Sequence, residues 1–255
     1  NFITAINLLE IDNFNTFDIA PSDIFSLDLN AFFDSYIMQA TVSKYVLDNS
    51  DDETALPGTT KLLVPTEKRE GIDVAGNPEF QIEKQELINI IIALDTVNMD
   101  NFDDQMSALD ITALDDTALD TILTSASFHV TVDNMLKDND NVNANIPNLA
   151  QVNLYGVLDL TTKEELIAFI VAVNTVGSGT FSDANINLAV VSTLGVEDQG
   201  TVLESMIIRN KITPDLEAFA DADPLFDFVP TDYEEDSIPP FLTKAACLAA
   251  IDLYF

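Results

Sequence analysis

The chain has 255 residues, 47% of them hydrophobic, with a mean hydropathy of +0.17, enough to bury a substantial core and too much for a disordered chain. Its 44 acidic and 10 basic residues give a net charge of −34, which repels phosphate and makes nucleic acid and anionic membrane surfaces poor partners. The single cysteine, Cys247, allows neither an internal disulfide nor a cysteine-built zinc site.

In chain order, Ile3–Phe14 ("ITAINLLEIDNF") reads as the end of a helix. "PSDIF" opens a short helix with Ser22 as its expected N-cap. Ser35–Asp48 carries apolar residues at steps of four (Met38, Val42, Val46), the mark of one helix face. "LLVPTE" around Pro65 reads as extended, since proline removes a donor and biases its predecessor toward β. A partner strand is expected at 79–82. An apolar helix, "KQELINIIIALDTVNMDNF", then runs from Lys84 to Phe102.

From there the order begins again. "TALDD" starts a short helix with Thr112 as its expected cap. "SASFHVTVDNMLK" from Ser125 repeats the spacing of the Ser35 segment, and "SMIIRNKITPDLE" from Ser205 repeats it once more, at offsets of 90 and 80 residues. "ANIPNL" with Pro147 and "DFVPTD" with Pro230 match "LLVPTE", and the second unit has an expected strand at 152–158. "KEELIAFIVAVNTVGSGTF" from Lys163 shares nine of nineteen positions with the Lys84 segment. Thr161 with Glu164 fits a capping box at its start. Leu166–Val173 is apolar all round, so this pillar helix is expected to be buried on every side. It is far shorter than the ~20 residues of a membrane span. "LTKAACLAAIDLYF" resembles the opening of a third pillar helix.

Three blocks recurring in one order specify a tandem duplication. The expected fold class is α+β, mainly α: an array of units of ~80–90 residues, each with a few helices and a short extended or β-hairpin segment. The expected boundaries are residues 1–14 for the end of a preceding unit, 15–103, 104–182, and 183–255 for a third unit truncated in its last helix. The chain thus reads as a piece of a longer array.

Catalytic chemistry is poorly served. His129 is the only histidine, its counterparts are Gln39 and Arg209, and there is no G-x-S-x-G. "GSGTF" at Gly177–Phe181 lacks the lysine of a phosphate loop. Glu86 and Glu165 sit in a helix's first turn, where the helix dipole favours acid. Oxygen-rich loops suit Ca²⁺. "KDNDNVNAN" supplies Asp138, Asp140, Asn141 and Asn143 as candidate ligands, although EF-hand spacing fails because the fifth position from Asp138 is Val142. "DNSDDE" offers Asp48, Asp51, Asp52 and Glu53. No other cofactor is expected. Phe32 and Phe33, matching Ile122/Leu123 and Val202/Leu203, are packing positions, and Cys247 packs as a small hydrophobe. Tyr233, Tyr155 and Phe80 are the aromatics that could form a ligand platform.

The "S…ATVSKYVL", "LLVPTE" and "KQELINIIIAL" blocks, in an acidic chain with one cysteine, resemble units of large repeat-built bacterial cell-surface proteins. The resemblance covers most of the chain, but through packing motifs, so it transfers no site residue. It implies an extracellular, cell-surface location and a non-enzymatic role as spacer, stalk or filament. The expected partners are neighbouring repeat units or copies of the chain. The alternative is an adhesin whose variable acidic loops grip a protein or glycan, assisted by Ca²⁺.

Overall fold

The structure is a computed structural model, and it describes residues 1–9, 19–50, 59–60, 71–72, 78–79, 82–99, 106–107, 110–111, 113–137, 161–177, 188–222, 232–234 and 240–255. The helices are α1 (Phe2–Leu9), α2 (Leu29–Phe33), α3 (Tyr36–Ser50), α4 (Lys84–Thr96), α5 (Asp116–Ile122), α6 (Ala126–Lys137), α7 (Lys163–Val176), α8 (Leu188–Val191), α9 (Val196–Val202), α10 (Met206–Ala222) and α11 (Lys244–Tyr254). The chain forms two compact units, one of residues 1–107 with 117–132, the other of residues 108–116 with 133–255.

The expected α+β class is overturned: the described part is 73% helical and holds no sheet or barrel. Among the described residues, extended pairing consists of two ladders two residues long, Thr59–Thr60 with Met106–Ser107 and Gly71–Ile72 with Pro78–Glu79, and one bridge between Tyr233 and Leu242. The described stretch entering each pillar helix shows why no sheet is required. In each repeat a helix side chain accepts from one of its backbone N–H groups. The Ile82 N–H donates to Ser43 Oγ at 3.2 Å, that of Thr161 to Asp133 Oδ1 at 3.2 Å, and that of Leu242 to Thr213 Oγ1 at 3.0 Å. These three acceptors occupy one position of the Ser-led helices, eight residues after the helix-opening serine. The Ile82 carbonyl accepts from Gln39 Nε2 at 2.9 Å, and the Leu242 carbonyl from Arg209 at 3.2 Å.

Helix-on-helix burial then supplies the core. In the Ser-led helices, Met38, Phe128 and Ile208 are buried, as are Val42, Val132 and Ile212 one turn on. The packing pairs Phe32/Phe33, Ile122/Leu123 and Val202/Leu203 are buried as expected. Each is fixed by a short helix: α2, for instance, is capped by Asp28, whose carboxylate accepts from Ala31 N–H at 3.1 Å. The pillar helices bury Leu87, Ile90, Ile91 and Leu94 in α4, and Leu166, Phe169, Ile170 and Val173 in α7. They are not buried on every side, however. Ile92 is 41% exposed, and Ile167, Ala168 and Val171 form a half-buried stripe.

The helix ends also differ in detail from the sequence reading. The cap of α7 is Thr162, one residue later than expected: its hydroxyl accepts from Glu165 N–H at 3.3 Å. At 21–23 the chain makes a single 3₁₀ turn, and Asp23, not Ser22, accepts from the backbone, taking Ala20 N–H at 3.0 Å. Thr112 lies outside the described residues. At the far end, equivalent residues of α4 and α7 take the left-handed conformation, Asn98 at φ 58° and Gly177 at φ 104°. That region admits glycine and asparagine most readily, so both copies stop at one point.

Candidate functional site

Buried polar groups are costly unless satisfied, so their placement marks what the fold is built around. Two glutamates are buried in equivalent places, Glu86 at 5% exposure and Glu165 at 4%. The sequence reading placed them in a helix's own first turn. The side chains instead reach the N-terminus of a different helix, the Ser-led helix of the next sequence repeat.

Glu86 of α4 receives Ser125 Oγ–H at 2.9 Å, Ala126 N–H at 3.1 Å, Ser127 N–H at 2.8 Å and Ser127 Oγ–H at 2.9 Å. Glu165 of α7 receives Ser205 Oγ–H at 2.7 Å and the N–H groups of Met206 and Ile207, both at 2.9 Å. Each serine also works as an N-cap. Ser125 Oγ accepts from Phe128 N–H at 3.2 Å, and Ser205 Oγ from Ile208 N–H at 3.3 Å. A helix leaves its first four N–H groups without internal partners. Here the glutamate takes the first two and the serine takes the third. The carboxylate charge also faces the positive end of the helix dipole. Burial pushes the Glu165 carboxyl above its ordinary value, and the three donors together with the Arg209 guanidinium oppose that shift.

The clasp has a second point in the first unit. Asn89, one turn beyond Glu86, donates to the Thr124 carbonyl at 3.3 Å. Asn1 makes the matching bond, to the Asp34 carbonyl at 2.9 Å. Both acceptors immediately precede a helix-opening serine, so α1 stands to α3 as the later part of α4 stands to α6. A lysine ties the pillar to its own repeat as well. Lys84 donates to Asp34 at 2.5 Å and to the Asn30 carbonyl at 2.8 Å, and Lys244 pairs with Glu204.

In the second unit, Ala168 stands where α4 has Asn89. It lines a groove of about 530 Å³ together with Ile167, Val171, the exposed Val196 and the acids Glu164, Glu197 and Glu204. The three acids are exposed, and the groove brings together no histidine, cysteine or buried unpartnered acid. It offers surface for contact and no set of groups suited to proton or acyl transfer.

The remaining candidates fall as follows. Asp138, Asp140, Asn141 and Asn143 lie outside the described residues, as do Asp51, Asp52, Glu53, Tyr155 and Phe80. Among the described residues no group of three or more acidic, histidine or cysteine side chains is placed to hold a metal ion. No described helix is long and apolar enough to cross a membrane. His129 is half-buried on α6. Tyr233 is half-buried and donates to Glu217 at 2.8 Å, so it forms no open platform. Cys247 is fully buried, and burial raises its thiol to about 12, so it is inert packing. Arg209, 6% exposed, pairs with Glu234 and lies over the Phe241 ring at 5.2 Å from its centroid.

The glutamate clasps were the functional residues that sequence reasoning missed. The signal was available. The pillar helices α4 and α7 carry Lys-x-Glu, and all three Ser-led helices keep their serine. The third helix of this type, α11, has Ala246 where the glutamate would stand. No family model, curated protein or solved structure matches the chain.

Proposed function

We propose that the chain is a non-enzymatic spacer region of a larger extracellular or cell-surface assembly, a stalk, filament or surface layer built by adding repeats. The observation that carries this reading is the use of its buried acids. Glu86 and Glu165 are spent on joining one repeat to the next, through the same donors each time. A catalytic protein concentrates its buried acids in one cleft, whereas an array distributes them by period. The negative charge suits a surface that must stay soluble beside copies of itself.

The test is insertion of one further copy of residues 104–182 in frame after residue 182. A spacer array keeps its fold, and its denaturant m-value rises with the added buried surface while a cooperative transition remains. Loss of folding, or a separate transition for the added copy, contradicts the reading. Antibody labelling of intact source cells tests the location, and a signal found only after permeabilisation contradicts it.

A further inference from the structure

Two small residues open the groove beside the second joint. Ala168 stands where α4 has Asn89, and Gly200 stands where α5 has Asp120. At the first joint Asn89 spans to the Thr124 carbonyl. At the second, a side-chain carbon added at Gly200 would meet nothing nearer than Lys244 Nζ, at 3.9 Å. Along α7 the lining falls at Glu164, Ile167, Ala168 and Val171, and along α9 at Val196, Glu197 and Gly200. Both sets advance by three or four residues, so the walls of the groove are two helix faces. Val196 is 79% exposed, the most exposed of the large apolar side chains among the described residues. It also lines a second hollow of about 480 Å³, with Leu248 and Ala249. Asp116, Glu164, Glu197 and Glu204 bring four carboxylates to the groove, and the cation of the lining, Lys244, is paired with Glu204.

We propose that this groove docks a cationic amphipathic helix of a partner protein. The helix lays its apolar stripe on Ile167, Val171 and Val196, and its lysines or arginines meet Asp116, Glu164 and Glu197. Charge selects the occupant. An acidic helix is repelled by the rim, and an uncharged one would strip water from carboxylates without replacing it. A second copy of the chain fits poorly for the same reason, with 10 basic residues against 44 acidic ones. Shape selects a helix over an extended strand. Two parallel rows of side chains at helical spacing accept a third helix's ridge, and the walls offer no sheet edge to pair with. Ala168 and Gly200 leave room for that ridge to come close.

The probe is a synthetic peptide of about 18 residues made of leucine and lysine, with its leucines three and four apart. A scrambled peptide of the same composition is its pair. Both are titrated into the full chain by calorimetry in about 0.3 M salt, which screens diffuse attraction to the acidic surface. The amphipathic peptide should bind at one site per chain, at least about tenfold more tightly than the scrambled one. It should shift the amide resonances of Ala168, Val171, Val196 and Gly200. Val196→Ser changes an exposed side chain, leaves the fold intact and should weaken binding about fivefold. Glu164→Gln with Glu197→Gln should weaken it about tenfold and flatten its salt dependence. Ala168→Asn restores the residue of the first joint and should weaken binding by obstructing the groove. Equal binding of the two peptides, resonance shifts spread over other acidic faces, or unchanged affinity in these variants overturns the proposal. Self-association of the chain without peptide, shifting the same resonances as concentration rises, assigns the groove to a second copy and overturns it as well.

Discussion

The joint at Glu86 and the joint at Glu165 solve one problem with different margins. Both present a buried carboxylate to a serine-capped helix N-terminus. Glu86 has a fourth donor, the Ser127 hydroxyl, and Asn89 beside it holds the Thr124 carbonyl. At the second joint Ile207 replaces Ser127 and Ala168 replaces Asn89, and a groove lies alongside. In the core beneath the second joint Phe169 stands where the first has Ile90, and both are fully buried. The difference shows which parts of a repeat are fixed. The carboxylate, the serine and two backbone N–H groups are kept, while the flanking polar contacts vary.

Removing the carboxylates should produce the largest effect. Glu86→Ala leaves a buried hydroxyl pair and two N–H groups without acceptors, a loss of about 4 kcal/mol in denaturant unfolding. Glu165→Ala removes fewer bonds and should cost about 3 kcal/mol. A loss below about 1 kcal/mol at either site would show that solvent replaces the clasp there.

The acid response of the second joint is a finer test. Burial raises the folded-state pKa of Glu165 above the ordinary glutamate value of 4.5. The folded chain therefore takes up this proton more readily than the unfolded chain. The resulting contribution is fully present below about pH 4.5 and is lost as pH rises through the raised folded value. Glu165→Gln cannot titrate, so wild type should lose stability relative to this variant as pH climbs through that window. A constant difference across the window would contradict the shift. Comparison with the variant also cancels the background titration of the other carboxylates.

Ser127→Ala should have the smallest effect. It deletes only the extra donor, brings the first joint to the donor set of the second, and should cost about 1 kcal/mol by thermal or denaturant unfolding. A loss as large as that of Glu86→Ala would mean that the hydroxyl, and not the backbone donors, holds the joint.

Much of the repeat was legible in the sequence. The four-residue steps of Met38, Val42 and Val46, and of their copies, located the Ser-led helices because burial of one face forces that period. The pillar helices were legible for the same reason. The α+β class was misjudged because proline and β-branched residues report a local preference, while the partner that satisfies the backbone is set by tertiary packing. Ser43, Asp133 and Thr213 hold that backbone, and their chemical variety hid a shared role. The clasps were hidden differently. A glutamate in a first helical turn has a sufficient local explanation in the dipole, and nothing local reveals that its side chain crosses to a serine some forty positions away.

The central claim is that glutamate and serine act as one unit joining consecutive repeats. A double-mutant cycle on Glu86→Ala and Ser125→Ala, read by equilibrium unfolding, tests it most directly. The account predicts a coupling energy of about 1–3 kcal/mol, because either change alone already breaks the shared contact. Additive losses, with coupling below about 0.3 kcal/mol, would contradict it.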